Sequence, residues 1–357
     1  MDFTPDLLTF ENGEKVKTAA DFETRRKELL DILQREEYGY TPPPPEKVTA
    51  EIREVATQRC AGHAVEENIL LSFDTGAGVF SFPITLTRPT KPGKQPFFLL
   101  LNFRPSPYDR YAPTEEIIDL GYGVAQLCYE DITKDNDDFS DGIAAYYPRE
   151  GRSAWGKIGM WAFCGSRVID YLLTRPEVDP SAIAVVGHSR LGKTALWCAA
   201  QDPRVALACS NDSGCSGAAY ERVKIPEGET IELICKKFPY WFCENYHRYA
   251  GAPEARPFDQ HFLLAAIAPR YVAIGSANRD LWADPYGEQL SCIGASPAWR
   301  LYGLHGYIGK EEPASVGDEF CDGEIGYHLR EGIHFLSRAD WQAYARFFDR
   351  KRGITKA

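Results

Sequence analysis

Ser189 lies where an apolar run meets a helix-forming run. The segment Ile183–Trp197 reads Ile-Ala-Val-Val-Gly-His-Ser-Arg-Leu-Gly-Lys-Thr-Ala-Leu-Trp. A strand that turns sharply into a helix at Gly-x-Ser is typical of a nucleophile elbow, which exposes the serine Oγ above a sheet. The next backbone N–H can then stabilise an oxyanion. The pattern predicts acyl transfer with Ser189 as the nucleophile.

The motif departs from Gly-x-Ser-x-Gly at one position. Leu191 holds the place of the second glycine, and Gly192 follows one residue later. An alternative interpretation is therefore a tight turn in which Ser189 is only the N-cap of a helix.

A histidine near the C-terminus supports the catalytic interpretation. His334 lies in Gly-Ile-His-Phe, shortly before a helix-forming run that reaches Arg350. In α/β-hydrolases the base lies on a loop after the nucleophile and the acid in chain order. His334 is therefore predicted to be the general base.

The carboxylate that would orient this base has more than one candidate. Asp280 follows the apolar run 271–275, which is the usual place for the acid, and Asp212 follows the apolar run 206–209. Asp284 precedes a proline and is equally typical of a turn. Asp280 is the favoured candidate, with Asp212, Asp284 or a shared arrangement as alternatives.

The elements that must position these side chains follow from the apolar pattern. Continuous apolar runs cover 97–102, 123–128, 183–186, 206–209 and 271–275, with helical segments at 161–174 and 193–201. Such runs are typical of strands buried on both faces, and their alternation with helices favours a mostly parallel sheet. Shorter β-rich stretches at 48–55, 68–73 and 78–86 predict an antiparallel start. The predicted fold class is α/β, an α/β-hydrolase with helices flanking the central sheet.

The chain is predicted to form one domain over residues 1–357. Residues 1–45 contain an amphipathic helix and a proline-rich connector. Residues 213–262 form an aromatic and charged insertion between the predicted sixth and seventh strands. A connection this long is more often functional than a simple turn, so it is interpreted as a cap over the active site.

The bulk composition excludes several classes of partner. The formal net charge of -11 argues against nucleic acid and anionic membrane surfaces as partners. A small-molecule or oligosaccharide ester fits better, and no metal or cofactor is expected. The ten cysteines show no Cys-x-x-Cys pair, so most are interpreted as buried thiols. The first residues do not resemble a secretory signal, which predicts a cytoplasmic protein; secretion is the alternative if a leader has been removed.

Three motifs together resemble the glucuronoyl esterases, carbohydrate esterase family fifteen. They are Gly187-x-Ser-Arg-x-Gly-Lys, Ser210-Asn-Asp-Ser-Gly-Cys-Ser-Gly-Ala-Ala and Asp280-Leu-Trp. The resemblance covers about residues 97–350. It implies hydrolysis of esters between 4-O-methyl-glucuronic acid on xylan and lignin alcohols, without a metal or cofactor.

The resemblance also implies roles for individual residues. Ser189 matches the nucleophile, and Arg190 matches a residue whose guanidinium helps to stabilise the oxyanion. Lys193 matches a ligand of sugar hydroxyls, and Trp282 matches a tryptophan that lines the sugar site. The family has two acid positions, which match Asp212 and Asp280, so the choice of acid stays open.

The sequence departs from the fungal pattern at three positions. Fungal members join a cysteine before the nucleophile to one after the base, whereas His188 and Phe335 stand here, and Thr194 replaces a common glycine. These changes leave the hydrolase chemistry intact and put the natural ester in question. The alternatives are an acetyl esterase acting on plant-derived oligosaccharides and, in another class, a non-catalytic carbohydrate-binding protein.

Overall fold

A ten-stranded sheet organises the parts of the chain that the computed structural model describes, residues 3–105 and 109–354. The strand order is β1-β2-β3-β5-β4-β6-β7-β8-β10-β9. The strands are β1 (Val48–Arg59), β2 (Ala64–Asp74), β3 (Val79–Pro89), β4 (Gln95–Asn102), β5 (Gly123–Cys128), β6 (Val178–His188), β7 (Leu207–Asn211), β8 (Tyr271–Ala277), β9 (Glu319–Phe320) and β10 (Ile325–Arg330).

The sheet is parallel at its centre and antiparallel at its two edges. Strands β5, β4, β6, β7, β8 and β10 run parallel to their neighbours in that series. Strands β1, β2 and β3 join it antiparallel, and β9 pairs antiparallel with β10. Because the central strands are parallel, their carboxyl ends meet at one edge, which is where ligands bind in open α/β sheets.

Eight α-helices accompany the sheet in the described part of the chain. They are α1 (Ala19–Leu33), α2 (Thr114–Asp119), α3 (Lys157–Leu172), α4 (Arg190–Gln201), α5 (Ile231–Lys237), α6 (Gln260–Ala265), α7 (Pro285–Arg300) and α8 (Arg338–Lys351). Among these described helices, none is long and apolar enough to cross a membrane.

Helices cover both faces of the sheet because the central strands are apolar on both sides. Alternate residues of β4 show this arrangement. Leu99 and Leu101 belong to the core that contains residues of α3, α4 and α6. Phe98 and Leu100 belong to a second core with residues of α2 and α8. The α/β-hydrolase fold predicted from the apolar runs is confirmed.

Three details differ from the sequence-based expectation. Strand β10 was not predicted, although it carries the loop with His334. The insertion lies between β7 and β8, one strand later than the expected position between the sixth and seventh strands. The expected position was miscounted, because the three N-terminal stretches and four apolar runs already predicted seven strands before the insertion. The predicted N-terminal helix ends at Leu33 and continues as a π-helical turn, Gln34–Tyr38.

The insertion between β7 and β8 is held against the rest of the protein by backbone contacts. The amide of Cys243 donates to the carbonyl of Glu37 at 2.8 Å. A Cβ atom at Gly156, at the start of α3, would lie only 2.2 Å from the carbonyl oxygen of Trp241. Only glycine permits this approach, so the insertion packs directly on the α3 N-terminus.

Candidate active site

Ser189 occupies the turn between β6 and α4, as the sequence predicts. Its φ of 58° and ψ of −127° place it in a region that non-glycine residues rarely adopt. Its amide donates to the carbonyl of Asn211 at 2.8 Å, which ties the turn to the end of β7. Strained backbone of this kind is concentrated at functional sites and costs about 1–3 kcal/mol.

The glycines around Ser189 explain the departure from the usual motif. A Cβ at Gly187 would lie 2.0 Å from the carbonyl oxygen of Leu191, so the turn closes tightly there. A Cβ at Gly192 would lie 2.9 Å from Oγ of Ser210 and 3.0 Å from Cβ of Ser213. Leu191 itself is fully buried in the core. The close approach of helix and sheet therefore falls at Gly192, one residue later than in the standard motif.

His334 and Asp280 meet at the carboxyl edge of the sheet. Nδ1 of His334 lies 2.5 Å from Oδ2 of Asp280, which comes from the segment after β8. The Asp280 side chain is only 5% exposed, whereas that of His334 is 43% exposed. Because Nδ1 is engaged by the carboxylate, Nε2 is the nitrogen left to accept a proton.

Asp212 lies beside this pair but is bound to other groups. Its Oδ1 accepts from the amide of Ala277 at 2.8 Å, and its Oδ2 accepts from Arg330 at 3.3 Å and from the amide of Phe335 at 3.4 Å. Burial, together with the nearby carboxylates of Glu288 and Asp280, raises the pKa of Asp212 well above its usual range. The structure thus brings both predicted acids to one histidine, with Asp280 on Nδ1.

Asp212, Asp280 and His334 are also the described residues that could hold a metal ion between them. One ligand atom from each lies within 4.8 Å of the others. Both oxygens of Asp212 and one oxygen of Asp280 are already acceptors of hydrogen bonds in the contacts above. The donor set therefore fits a hydrogen-bonded triad at least as well as a metal site.

Asp284, the third candidate acid, lies elsewhere. It is fully buried at the N-cap of α7, where Oδ1 accepts from the amide of Gly287 at 2.9 Å. Lys224 lies 3.9 Å from its other oxygen. Asp284 therefore acts as a cap in this structure and is not placed at His334.

A cavity of about 220 Å³ opens in front of Ser189 and His334. Its lining also contains four of the residues that the sequence singled out and several that it did not. The lining residues are Ser189, Arg190, Lys193, Asp212, Ser213, Gly214, Glu229, Lys237, Phe238, Trp241, Trp282, Ala283 and His334. Glu229, Lys237, Phe238 and Trp241 come from the insertion and were not predicted individually.

Arg190 is held in a fixed position at the wall of this cavity. Nη1 forms an ion pair with Asp135, from the segment after β5. The guanidinium lies over the ring of Trp241, with Cζ 4.7 Å from the ring centroid, and 5.3 Å from that of Phe238. Burial lowers the pKa of Arg190 from its ordinary value. The Asp135 carboxylate also accepts from Nε1 of Trp241 at 2.7 Å.

The predicted sugar-contacting residues also line the cavity. Lys193 is buried, and its Nζ donates to the carbonyl of Ser213. Trp282 is 45% exposed at the mouth. Glu229, from the insertion, is buried, and that burial raises its pKa. Cations, a carboxylate and indole rings therefore converge on one small space.

Aromatic packing surrounds His188, which precedes the nucleophile, and Phe335, which follows the base. The rings of His188 and His334 have centroids 4.3 Å apart, and those of Tyr111 and Phe335 are 4.9 Å apart. Tyr111 also stacks on His188 at 5.4 Å. Burial, aided by repulsion from His334, lowers the pKa of His188 to about 3, so this ring is neutral at physiological pH.

The comparisons with known proteins agree on one family. The sequence profile of fungal glucuronyl esterases matches residues 72–303. Carbohydrate esterase MZ0003, from an unknown prokaryotic organism, is 44% identical over 242 residues, which are 66% of this chain. The 4-O-methyl-glucuronoyl methylesterase of Schizophyllum commune is 30% identical over 305 residues, 82% of this chain and 72% of that relative.

A solved structure gives the same result for the fold. The glucuronoyl esterase from Solibacter usitatus superimposes with a TM-score of 0.89 at 31% identity, covering 98% of each chain. The sequence match to carbohydrate esterase MZ0003 covers only 55% of that relative's length, so this chain spans about half of it.

Proposed function

The chain belongs to the glucuronoyl esterase family, and from this membership we propose that it hydrolyses esters of 4-O-methyl-glucuronate through a Ser189 acyl-enzyme. The observation that carries the proposal is the placement of Ser189, in a strained elbow, and the hydrogen-bonded His334–Asp280 pair around one cavity. A nucleophile, a base and an orienting carboxylate are the groups that two-step ester hydrolysis needs.

In the first step, Nε2 of His334 takes the proton of Ser189 as Oγ attacks the ester carbonyl. Asp280 fixes the imidazole tautomer and stabilises the imidazolium that forms. The tetrahedral oxyanion is stabilised by the amide of Arg190, because first-turn amides of a helix have no intrahelical acceptor. The intermediate then collapses, and His334 returns the proton to the departing alcohol.

In the second step, the acyl group leaves Ser189 as the free acid. His334 removes a proton from water, and the resulting hydroxide adds to the acyl carbonyl. Collapse of the second oxyanion breaks the bond between the acyl carbon and Oγ of Ser189, and His334 returns the proton to Oγ. The guanidinium of Arg190 is permanently charged, so it favours the negative charge that develops in both steps.

The chemistry of the cavity supports a uronate as the acyl part. Lys193 and Glu229 offer a cationic donor and a carboxylate acceptor for sugar hydroxyls, and Trp282 offers an exposed indole face. A few placed polar groups among aromatic walls are typical of small-molecule sites. We infer that the ring of the uronate occupies this space while its ester carbonyl faces Ser189.

Two further assignments rest on the sequence and belong to the same proposal. The insertion, predicted over 213–262, serves as a cap because six of its residues line the cavity. A reducing, cytoplasmic location is supported by the ten cysteines, all of which are free thiols in this structure. Fractionation of the native host, with detection of the protein in each fraction, tests the location.

The experiment that tests the function compares two esters. We expect the protein to hydrolyse the methyl ester of 4-O-methyl-glucuronate and to leave an acetylated xylo-oligosaccharide almost untouched. Ser189→Ala should lose at least about 1000-fold of the activity, because the triad acts as a unit, and should resist labelling by a fluorophosphonate. Faster turnover of the acetylated sugar would make it an acetyl esterase. If the unmodified protein neither hydrolyses these esters nor is labelled by the fluorophosphonate, it is a non-catalytic binder.

A further inference from the structure

We propose that Arg330, the last residue of β10, is a positioning residue that holds the His334 loop and the two acids in their catalytic arrangement. The inference rests on the proposed function, because it assigns a role within that reaction. Arg330 does not line the cavity and is therefore not expected to touch the substrate. Its side chain is only 10% exposed.

The guanidinium of Arg330 binds the backbone on both sides of His334. Nη2 donates to the carbonyl of Ile333 at 3.3 Å and to the carbonyl of Phe335. Nη1 donates to the carbonyl of Glu331 at 3.4 Å. The loop thus curves around the guanidinium, and the residues before and after the base are both fixed to one rigid group.

Gly332 shows how closely the loop follows this side chain. Its φ is +139°, and a Cβ there would lie 2.5 Å from Nη1 of Arg330. The amide of Gly332 donates to Oδ1 of Asn278 at 2.9 Å, and its carbonyl accepts from the amide of Arg279 at 3.0 Å. The base-bearing loop is therefore fixed both to Arg330 and to the segment that leads to Asp280.

Arg330 also connects the acids to the C-terminal helix. Nε donates to Oδ2 of Asp340 at 2.7 Å, and Nη2 reaches Oδ2 of Asp212 at 3.3 Å. Asp340 is fully buried, and its other oxygen lies 2.9 Å from Nε2 of His328. Although burial opposes it, the bonds and charges of His328 and Arg330 lower the pKa of Asp340.

These contacts need the shape of arginine as well as its charge. A guanidinium presents five N–H donors in a fixed plane, so a single group can serve Asp340, Asp212 and the loop carbonyls together. A lysine ammonium would keep the charge beside the two carboxylates but could not span the same acceptors. Substitution of Arg330 by lysine therefore keeps the positive charge beside the carboxylates but removes the hydrogen bonds that depend on the guanidinium geometry.

The kinetic test uses the purified protein and three variants. Arg330→Gln should lower kcat on the methyl glucuronate ester about 10- to 100-fold with KM nearly unchanged, since small misplacements of catalytic groups cost rates of this size. Arg330→Lys should keep the parental Tm within a few degrees while kcat still falls about tenfold. Arg175→Gln is the matched control, because Arg175 binds the carboxylates of Glu67 and Glu177, and none of these three residues lines the cavity.

A spectroscopic readout distinguishes positioning from general stabilisation. The proton shared between His334 Nδ1 and Asp280 should resonate far downfield in the proton NMR spectrum, where His334→Ala identifies it by its absence. In Arg330→Gln this signal should broaden or disappear, while in Arg175→Gln it should persist despite any loss of stability. A structural role alone would affect both arginine variants in the same way.

Each outcome decides the proposal. Retention of parental kcat, or of the downfield signal, in folded Arg330→Gln overturns it. If Arg330→Gln does not fold, Arg330→Lys decides, and parental kcat in that variant overturns the proposal. If the unmodified protein lacks esterase activity, the proposed function fails, while the downfield signal in the Arg330 variants still reports whether this residue positions His334.

Discussion

Nδ1 of His334 and Oδ2 of Asp280 lie 2.5 Å apart, although 54 residues separate them in the chain. Asp212 stands next to this pair with both oxygens bound by Ala277, Phe335 and Arg330. The two carboxylates therefore differ in what they can do, since one holds the imidazole and the other braces the loop that carries it.

This difference predicts unequal effects of removing the two acids. Asp280→Asn should lower kcat about 100-fold or more, because an amide favours the wrong imidazole tautomer. Asp212→Asn should lower it less than about 10-fold. Steady-state kinetics of both variants and of the double variant provide the measurement. If Asp212→Asn is inactive while Asp280→Asn is active, the assignment is reversed. If the fold-loss of kcat in the double variant far exceeds the product of the two single fold-losses, the two carboxylates substitute for each other.

Arg190 should resist even a conservative substitution. Arg190→Lys removes the planar group that is clamped by Asp135 and covers Trp241, so we expect kcat to fall at least about tenfold. Asp135→Asn, which loosens the clamp but keeps the guanidinium, should cost less. If KM alone rises in Arg190→Lys, the residue binds the ground state and does not stabilise the oxyanion.

Chelation should leave the activity unchanged. The three possible metal donors, Asp212, Asp280 and His334, already share hydrogen bonds that suit a triad. Prolonged dialysis against EDTA, followed by assay with and without added zinc, is the measurement. Loss of activity that a divalent ion restores would instead identify a metal-dependent hydrolase at the same residues.

His188 predicts a specific dependence of stability on pH. Its pKa falls from 6.5 to about 3 on folding because the ring is buried, so the unfolded chain binds more protons between these values. Its contribution is complete above pH 6.5 and is lost as the pH falls towards 3. His188→Gln should therefore make the free energy of unfolding less dependent on pH between 7 and 4.5, as measured by urea denaturation.

The exposed His63 provides the control for that experiment. His63→Gln should show the parental pH dependence, because its side chain lies at the surface. An identical slope in the parent and in His188→Gln would contradict the assignment of a buried neutral ring beside His334.

The sequence located the residues that lie at element boundaries. Ser189 follows an apolar strand and precedes a helix, and His334 precedes the last helix, so chain order alone was informative for both. Strand β10 was missed because its side chains include His328 and Arg330, which are typical of exposed segments. The burial of these two side chains is explained by Asp340, whose carboxylate binds both of them.

Residues whose roles depend on distant partners could not be predicted in this way. Asp135 gave no signal in the sequence, because its partners Arg190 and Trp241 are 55 and 106 residues away. Glu229 lies in a segment whose path over the cavity depends on tertiary packing. The choice between Asp212 and Asp280 depended on distances of a few ångströms, which chain order does not contain.

The contact between Gly156 and the carbonyl of Trp241 limits how substrate specificity can be altered. Since the insertion rests backbone to backbone on α3, and Trp241 shares Asp135 with Arg190, loosening the insertion would also disturb the residue next to the nucleophile. An engineer who wants the enzyme to accept bulkier alcohols should therefore leave this segment in place. Diversity is better introduced at the exposed rim, at Lys237, where a side chain can change without displacing the insertion or removing a proposed sugar contact.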